Sequence, residues 1–142
     1  MSEQLVVFGL NNEEYALLVG AVREITKLED ITHVPDMPPY IKGIINLRGK
    51  AIPVIDIHQR LGLRRSRCTL ALIAEIEGIT LGLAVNEVKE VNTLGEVQPA
   101  PPLVSTPLIE GIINIPNRLI MVLRLESIIG LDEQQVLEKI AG

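Results

Sequence analysis

The apolar residues of this chain fall in short runs rich in Val, Ile and Leu, and Gly, Pro and Asn separate the runs. Such runs, bounded by turn residues, are typical of β-strands. We expect about ten short strands, with candidates at Leu5–Leu10, Tyr15–Val19, Val22–Ile25, Thr32–Val34, Ile41–Leu47, Ala51–Ile57, Thr69–Ile76, Ile79–Val85, Val88–Val91, Ile109–Ile115 and Leu119–Leu125. Helix is predicted only near Ile57–Leu61, near Leu125–Ile129 and at Glu133–Ile140.

The pattern occurs twice along the chain. Gly43-Ile44-Ile45-Asn46 recurs as Gly111-Ile112-Ile113-Asn114, which is 111 − 43 = 68 residues later. With that shift, Ile41–Leu63 and Ile109–Leu131 are identical at 9 of 23 positions, and a shift of 66 residues extends the match upstream. Internal repeats of this kind indicate a duplicated substructure.

Two sets of short strands favour a mainly β protein made of two small five-stranded barrels over one large sheet. We expect a single domain over residues 1–142, with a first repeat at about 1–65 and a second at about 66–142. An N-terminal hairpin can complete either barrel, so strands can be exchanged between the two. A chain of 142 residues is long enough to bury a sizeable core.

The composition disfavours several classes of protein. A net charge of −5 disfavours a nucleic-acid partner. The local basic cluster of Arg64, Arg65 and Arg67 is interpreted as a solvated loop. A single cysteine excludes an intrachain disulfide and suits a reducing compartment. The N-terminus lacks signal-peptide features and no long apolar stretch occurs, so we expect a cytoplasmic protein without membrane insertion.

The residues that often carry catalysis are few and scattered. Cys68 follows Arg67, which can lower a thiol pKa, but we interpret Cys68 as a half-buried residue at a strand edge. His33 and His58 have no partners at metal-ligand spacing and are interpreted as surface or hydrogen-bonded structural residues. We therefore expect no enzyme activity, no catalytic residue, no cofactor and no metal.

Arg48 differs from its counterpart in the repeat. Asn46-Leu47-Arg48-Gly49 aligns with Asn114-Ile115-Pro116-Asn117, so Arg48 stands opposite Pro116 and the shared fold does not require it. Glu24 lies between apolar neighbours on a predicted strand that Arg48 can reach. A fixed Glu–Arg pair is a suitable recognition device. An ordinary surface ion pair of little energetic value remains the alternative.

These segments together resemble one known family, the CheW chemotaxis coupling proteins. The resemblance extends from Leu5 to Ile140. It rests on Phe8 and Tyr15, Val22–Ile25, Tyr40–Lys50, Pro53–Ile57, the Val-x2-Val-x2-Val run of Val85–Val91, and Pro99–Pro102. The Asn114–Arg118 segment departs from the turn usual in the second half of that family.

The resemblance implies two SH3-like β-barrel subdomains and a non-enzymatic adaptor. The implied partners are the regulatory domain of the histidine kinase CheA and the cytoplasmic tip of methyl-accepting chemotaxis receptors. The protein would be cytoplasmic and recruited to membrane-associated receptor arrays. The matching positions for receptor binding are Val22, Glu24, Arg48 and Gly49. Those for kinase binding are Ile31 and Thr32.

Two other functions stay open at this point. A CheW-like coupling protein of a non-flagellar pathway, such as twitching motility, would present a similar surface. A small ligand-binding barrel would need a pocket with convergent polar groups, and no motif in the sequence indicates one.

Overall fold

A computed structural model describes residues 3–104 and 106–128. The strands are β1 (Leu5–Leu10), β2 (Glu13–Leu18), β3 (Val22–Lys27), β4 (Ile41–Leu47), β5 (Lys50–Asp56), β6 (Leu70–Ile76), β7 (Ile79–Val85), β8 (Glu87–Asn92), β9 (Ile109–Ile115) and β10 (Arg118–Leu123). Short helices α1 (Ile57–Arg60) and α2 (Leu125–Ile128) follow β5 and β10, and single 3₁₀ turns lie at Val19–Ala21 and Pro102–Val104. No described helix is long and apolar enough to cross a membrane.

The mainly β architecture predicted from the apolar runs is confirmed, and ten of the strands begin and end within two residues of the predicted positions. The prediction of a strand at Thr32–Val34 is wrong. Only Thr32 pairs, through a two-way backbone bridge with Ile44. Pro35 lacks an N–H group and Asp36 has φ of +62°, so the chain turns away from the sheet. The predicted helix at Glu133–Ile140 lies outside the described residues.

The strands form two five-stranded sheets, and each sheet combines strands from both repeats. The strand orders are β8-β1-β2-β10-β9 and β3-β6-β7-β5-β4. Replacing every strand by its counterpart in the other repeat converts one order into the other. Each sheet also contains one parallel pair in the same place, β2 with β10 and β7 with β5. The duplication is therefore a pseudo-twofold arrangement in which the N-terminal hairpin of one repeat completes the sheet of the other.

Three apolar clusters hold this arrangement together. The largest lies between the sheets and takes residues from both, including Phe8, Tyr15, Leu17, Ile55, Leu72 and Leu83. Each sheet also encloses a smaller cluster of its own, built around Val7, Ala16 and Val122 in one and Val54, Ala71 and Ala84 in the other. Burial of apolar side chains on both faces of the strands explains why several strands read as continuous apolar runs.

Two glycines that the repeats share occupy equivalent crowded positions. A Cβ atom on Gly43 would collide with the backbone oxygen of Thr32, and one on Gly111 would collide with the backbone oxygen of Gln98. In each copy an extended segment bridges to the neighbouring strand at this point, Thr32 to Ile44 and Gln98 to Ile112. The repeated glycine is thus required by close approach of two backbones.

Candidate protein-interaction site

Glu24 and Arg48, singled out from the sequence, form a bidentate ion pair. Arg48 donates one hydrogen bond of 3.0 Å from Nη1 to Oε2 of Glu24 and a second, short one from Nη2 to Oε1. Glu24 lies on β3 and Arg48 on the turn between β4 and β5. Strands β3 and β4 are the two edges of their sheet, so the pair spans the gap between those edges.

The backbone of the β4–β5 turn positions the Arg48 side chain. Leu47 pairs with Lys50, which leaves a two-residue turn of Arg48 and Gly49. Their φ angles are +51° and +83°, as in a type I′ turn, and Gly49 donates its N–H to Oδ1 of Asn46 at 2.9 Å. A non-glycine residue is uncommon at such an angle, so this turn holds Arg48 in an unusual conformation.

The matching turn of the second repeat has different geometry. It contains Pro116 and Asn117, and only Asn117 has a positive φ, at +64°. The proline ring fixes φ near about −65°, which excludes a type I′ turn. The two repeats therefore use different turn types, and the second repeat has no counterpart of the conformation that Arg48 adopts in the first.

The Glu24–Arg48 pair is exposed on the surface. The side chain of Arg48 is 71% exposed and that of Glu24 is 31% exposed. The hydrogen bonds from Arg48 lower the pKa of the Glu24 carboxyl, so Glu24 is ionised at neutral pH. Because Glu24 uses one N–H group on each of Nη1 and Nη2, three of the five N–H donors of Arg48 have no partner among the described residues.

The other predicted receptor-contact residues lie close to this pair in the chain. Val22 is half-buried on β3, two residues before Glu24, and packs against the cluster between the two sheets. Gly49 is exposed, with open space where a side chain would extend. The structure therefore brings together an apolar side chain at the seam of the sheets, an ion pair and an unobstructed turn.

The predicted kinase-contact residues lie farther along the same edge. Thr32 is exposed and pairs with Ile44, four residues before Arg48, a separation of roughly 13 Å along an extended strand. Ile31 is half-buried against the smaller cluster of that sheet and lines a pocket of about 490 Å³ with His33 and Lys42. The two predicted contact regions are thus separate positions along the β4 edge of the sheet.

A second ion cluster was not anticipated from the sequence. Arg118 on β10 lies 2.6 Å from Glu14 and 2.7 Å from Glu90, and the three side chains are 30%, 18% and 32% exposed. Hydrogen bonds from Arg118 lower the pKa of Glu14, and those carboxylates raise the pKa of Arg118. One signal was available, because Glu90 is the repeat counterpart of Glu24.

A buried histidine, His58, lies beside Ser66 and Cys68, with its Nδ1 atom 3.8 Å from the sulfur of Cys68. Asn86 donates from Nδ2 to Ser66 and to the Arg67 carbonyl, both at 2.8 Å, so its Oδ1 is the acceptor that faces His58 Nε2 at 3.0 Å. Nε2 therefore carries a proton and cannot accept one from Ser66 at 3.2 Å. Burial raises the pKa of Cys68, which disfavours the reactive thiolate.

Comparison with known proteins agrees with this geometry. The family model of the CheW-like domain matches residues 4–133. The chain is 35% identical to a chemotaxis protein CheW from Bacillus subtilis, covering 94% of this chain and 90% of the relative, and 29% identical to one from Rhizobium meliloti, covering 93% and 90%. A crystal structure of the scaffolding protein TtCheW from Thermoanaerobacter tengcongensis superposes with a TM-score of 0.84 at 36% identity, covering 94% of this chain and 96% of that one. This chain therefore belongs to the CheW-like domain family.

Proposed function

We propose that this chain is a non-enzymatic chemotaxis adaptor that couples methyl-accepting chemoreceptors to the histidine kinase CheA. In this proposal the receptor tip contacts Val22, Glu24, Arg48 and Gly49, and the regulatory domain of CheA contacts Ile31 and Thr32. The protein acts in the cytoplasm and is recruited to receptor arrays at the membrane through these contacts.

The observation that carries the receptor contact is the exposed, bidentate Glu24–Arg48 pair. An ion pair that only fastened two strands would gain from being shielded, yet Arg48 is 71% exposed. Its turn holds a positive φ that a residue without a special role rarely adopts. A guanidinium held in one orientation loses little conformational freedom on binding, which favours recognition of a polar group on a partner.

The supporting feature is the apolar side chain beside the pair. Val22 lies at the edge of the cluster between the two sheets, where a rod-like partner can lie along the seam. Binding sites in proteins commonly combine an apolar surface with a few oriented polar groups. The seam together with the Glu24–Arg48 pair has this composition.

The receptor contact is tested with Arg48→Ala and a matched control, Arg23→Ala. Arg23 is also exposed and lies on β3, but its only ion pair within the described part of the chain is to Glu75, at 3.7 Å. We expect Arg48→Ala to weaken binding of a purified receptor cytoplasmic fragment by about tenfold or more, since a charge-assisted contact is lost. Arg23→Ala should change the affinity by less than about twofold. Isothermal titration calorimetry measures both, and equal losses would contradict the assignment.

The kinase contact is tested separately. Thr32→Arg places a bulky charge on an exposed position whose backbone pairing with Ile44 is unaffected. We expect this variant to lose affinity for the isolated regulatory domain of CheA and to keep its affinity for the receptor fragment. Failure of the unmodified chain to bind either partner would overturn the adaptor function as a whole.

A further inference from the structure

A polar pocket of about 560 Å³ lies away from the Glu24–Arg48 pair. It forms where the β1–β2 turn, the β7–β8 junction and the segment 64–66 meet. It is lined by Gly9, Asn11, Asn12, Arg64, Arg65, Ser66, Asn86 and Glu87. Strand β5, seven residues long, leads from the Arg48 turn to α1 at the pocket end, a span of roughly 20 Å. The pocket therefore opens on a different surface.

The basic segment at this pocket is an exposed loop, as the sequence predicts, and hydrogen bonds hold its backbone in place. Asn11 donates from Nδ2 to the Arg64 carbonyl at 2.6 Å, and Ser66 donates to Oδ1 of Asn11 at 2.6 Å. Asn86 donates to Ser66 and to the Arg67 carbonyl, both at 2.8 Å. Two asparagines from the other elements thus fix the backbone that carries the arginines, so their positive charge is concentrated at one place.

The charges around the pocket leave an unbalanced cation. Within the described residues, the guanidinium of Arg64 has no hydrogen-bond or ion-pair partner. Arg65 faces only Asp56, at 3.6 Å. The one acidic lining residue, Glu87, has its carboxylate 2.8 Å from Lys89, which neutralises it. The pocket is therefore a local site of positive charge on a chain whose net charge is −5.

The second repeat provides an internal comparison. The counterparts of Asn11 and Asn12 are Glu77 and Gly78, and the counterpart of Asn86 is Gly20. Arg64 and Arg65 align with Asp132 and Glu133. The aligned positions thus contain none of the three asparagines and have acidic residues opposite the arginines. The repeat does not require the arginines at this pocket, so their guanidinium groups are available for binding.

We propose that this pocket is a docking site for an acidic segment of a protein partner, which inserts carboxylate groups between Arg64 and Arg65. Guanidinium groups bind carboxylates through paired, charge-assisted hydrogen bonds, and the side-chain amide of Asn12 supplies a further donor. Arg64, Arg65, Ser66 and Asn12 are all exposed, so the pocket is open to solvent. A peptide that continues along the surface fits such an open site. The proposal is independent of receptor and kinase coupling.

The test uses a blocked octapeptide of alternating Asp and Ser, with the Asn/Ser peptide of the same length as the neutral control. Calorimetry at low ionic strength should show saturable binding of the acidic peptide only. Arg64→Gln with Arg65→Gln should weaken that binding by about tenfold or more, whereas Arg67→Gln should weaken it by less than about threefold. Arg67 is the matched control because it lies in the same segment, carries the same charge and does not line the pocket.

The outcomes that would overturn the proposal are specific. They are the absence of saturable binding, equal binding of the neutral peptide, or equal losses for Arg67→Gln and the double variant. A separate titration with inorganic pyrophosphate identifies the anion: binding of pyrophosphate but not of the acidic peptide would assign the pocket to phosphate and overturn the protein partner. Arg64→Gln alone repeats the test without disturbing any contact, and circular dichroism confirms that each variant is folded.

Discussion

Glu24 and Glu90 occupy equivalent positions in the two repeats, yet their arginine partners are held in different ways. Glu24 meets a single, largely exposed arginine that projects from a turn. Glu90 shares the less exposed Arg118 with Glu14, and the three side chains join strands β8, β10 and β2 of one sheet. The repeat counterpart of Arg118 is Lys50, while Arg48 has only Pro116 opposite it.

This difference shows how equivalent positions in a duplicated unit can serve two roles, stabilising the fold and binding a partner. Where the arginine lies within a sheet and faces two carboxylates, its charge is neutralised and its contacts stabilise the fold. Where the arginine lies on a turn and faces one carboxylate, part of its hydrogen-bonding capacity remains for a partner. Substitutions at three kinds of position should therefore lower the free energy of unfolding by decreasing amounts. These are the glycines common to both repeats, the arginine within a sheet and the exposed arginine on a turn.

The largest effect is expected from the glycines that both copies share. Gly43→Ala and Gly111→Ala each place a methyl group against a backbone oxygen that cannot move without breaking a bridge. Each substitution should lower the free energy of unfolding by about 3 kcal/mol, measured by chemical denaturation. Gly20→Ala is the control, because nothing lies within 4 Å of the added atom. A large loss at only one of the two glycines would mean that the copies are not structurally equivalent.

An intermediate effect is expected from Arg118→Ala. The substitution leaves Glu14 and Glu90 close together without their shared cation, so unfolding should become easier by about 2 kcal/mol at pH 7. Arg124→Ala is a suitable comparison, since Arg124 makes a more exposed pair with Glu110 at 2.6 Å and should contribute less than about 1 kcal/mol.

The pH dependence of that effect follows from Glu14. Hydrogen bonds from Arg118 place the pKa of Glu14 below its ordinary value of 4.5. The unfolded chain then binds more protons than the native one in this range, so the stabilisation is complete above pH 4.5 and is lost as pH falls through the lower native pKa. The stability difference between the unmodified chain and Arg118→Ala should therefore shrink below about pH 4.5. A difference that is constant down to pH 3 would exclude the ion cluster as its cause.

The smallest effect on stability is expected from Arg48→Ala, even though the pair it forms has two hydrogen bonds. We expect the melting temperature to change by less than about 2 °C, because the Arg48 side chain is largely exposed to solvent. Differential scanning calorimetry on the same preparation used for receptor binding is the measurement. If Arg48→Ala destabilised the chain as much as Arg118→Ala while binding stayed intact, the pair would only fasten strands and Arg48 would leave the functional site.

The strands were predictable because local signals determine them. The ends of β1, β7 and β9 follow from apolar runs that stop at Asn11, Asn86 and Pro116. The sequence leaves open which sheet the N-terminal hairpin joins, because the apolar residues of β1 and β2 suit either sheet. The pairing of β1 with β8 and of β2 with β10 decides which sheet the hairpin joins, and both partners lie far away in the chain.

The candidate site was predictable only in part. Comparing the two repeats identified Arg48, since Pro116 excludes its conformation in the second copy. The roles of Val22, Gly49, Ile31 and Thr32 remain predictions from family resemblance. The cluster of Arg118 with Glu14 joins residues 104 positions apart through a parallel strand pair, and no local pattern reports such a contact.

The exchange of hairpins between the two sheets has a consequence for the origin of the chain. A half-length ancestor with one copy of the repeat would have an incomplete sheet of three strands and a hairpin that does not pair with them. In two such copies, the hairpin of each would complete the sheet of the other, so the ancestor implied by this topology is a domain-swapped homodimer. Fusing the two genes made the exchange of hairpins intramolecular and therefore independent of protein concentration. Once fused, the halves were free to diverge, which allowed a symmetric pair of surfaces to become two different ones on one polypeptide.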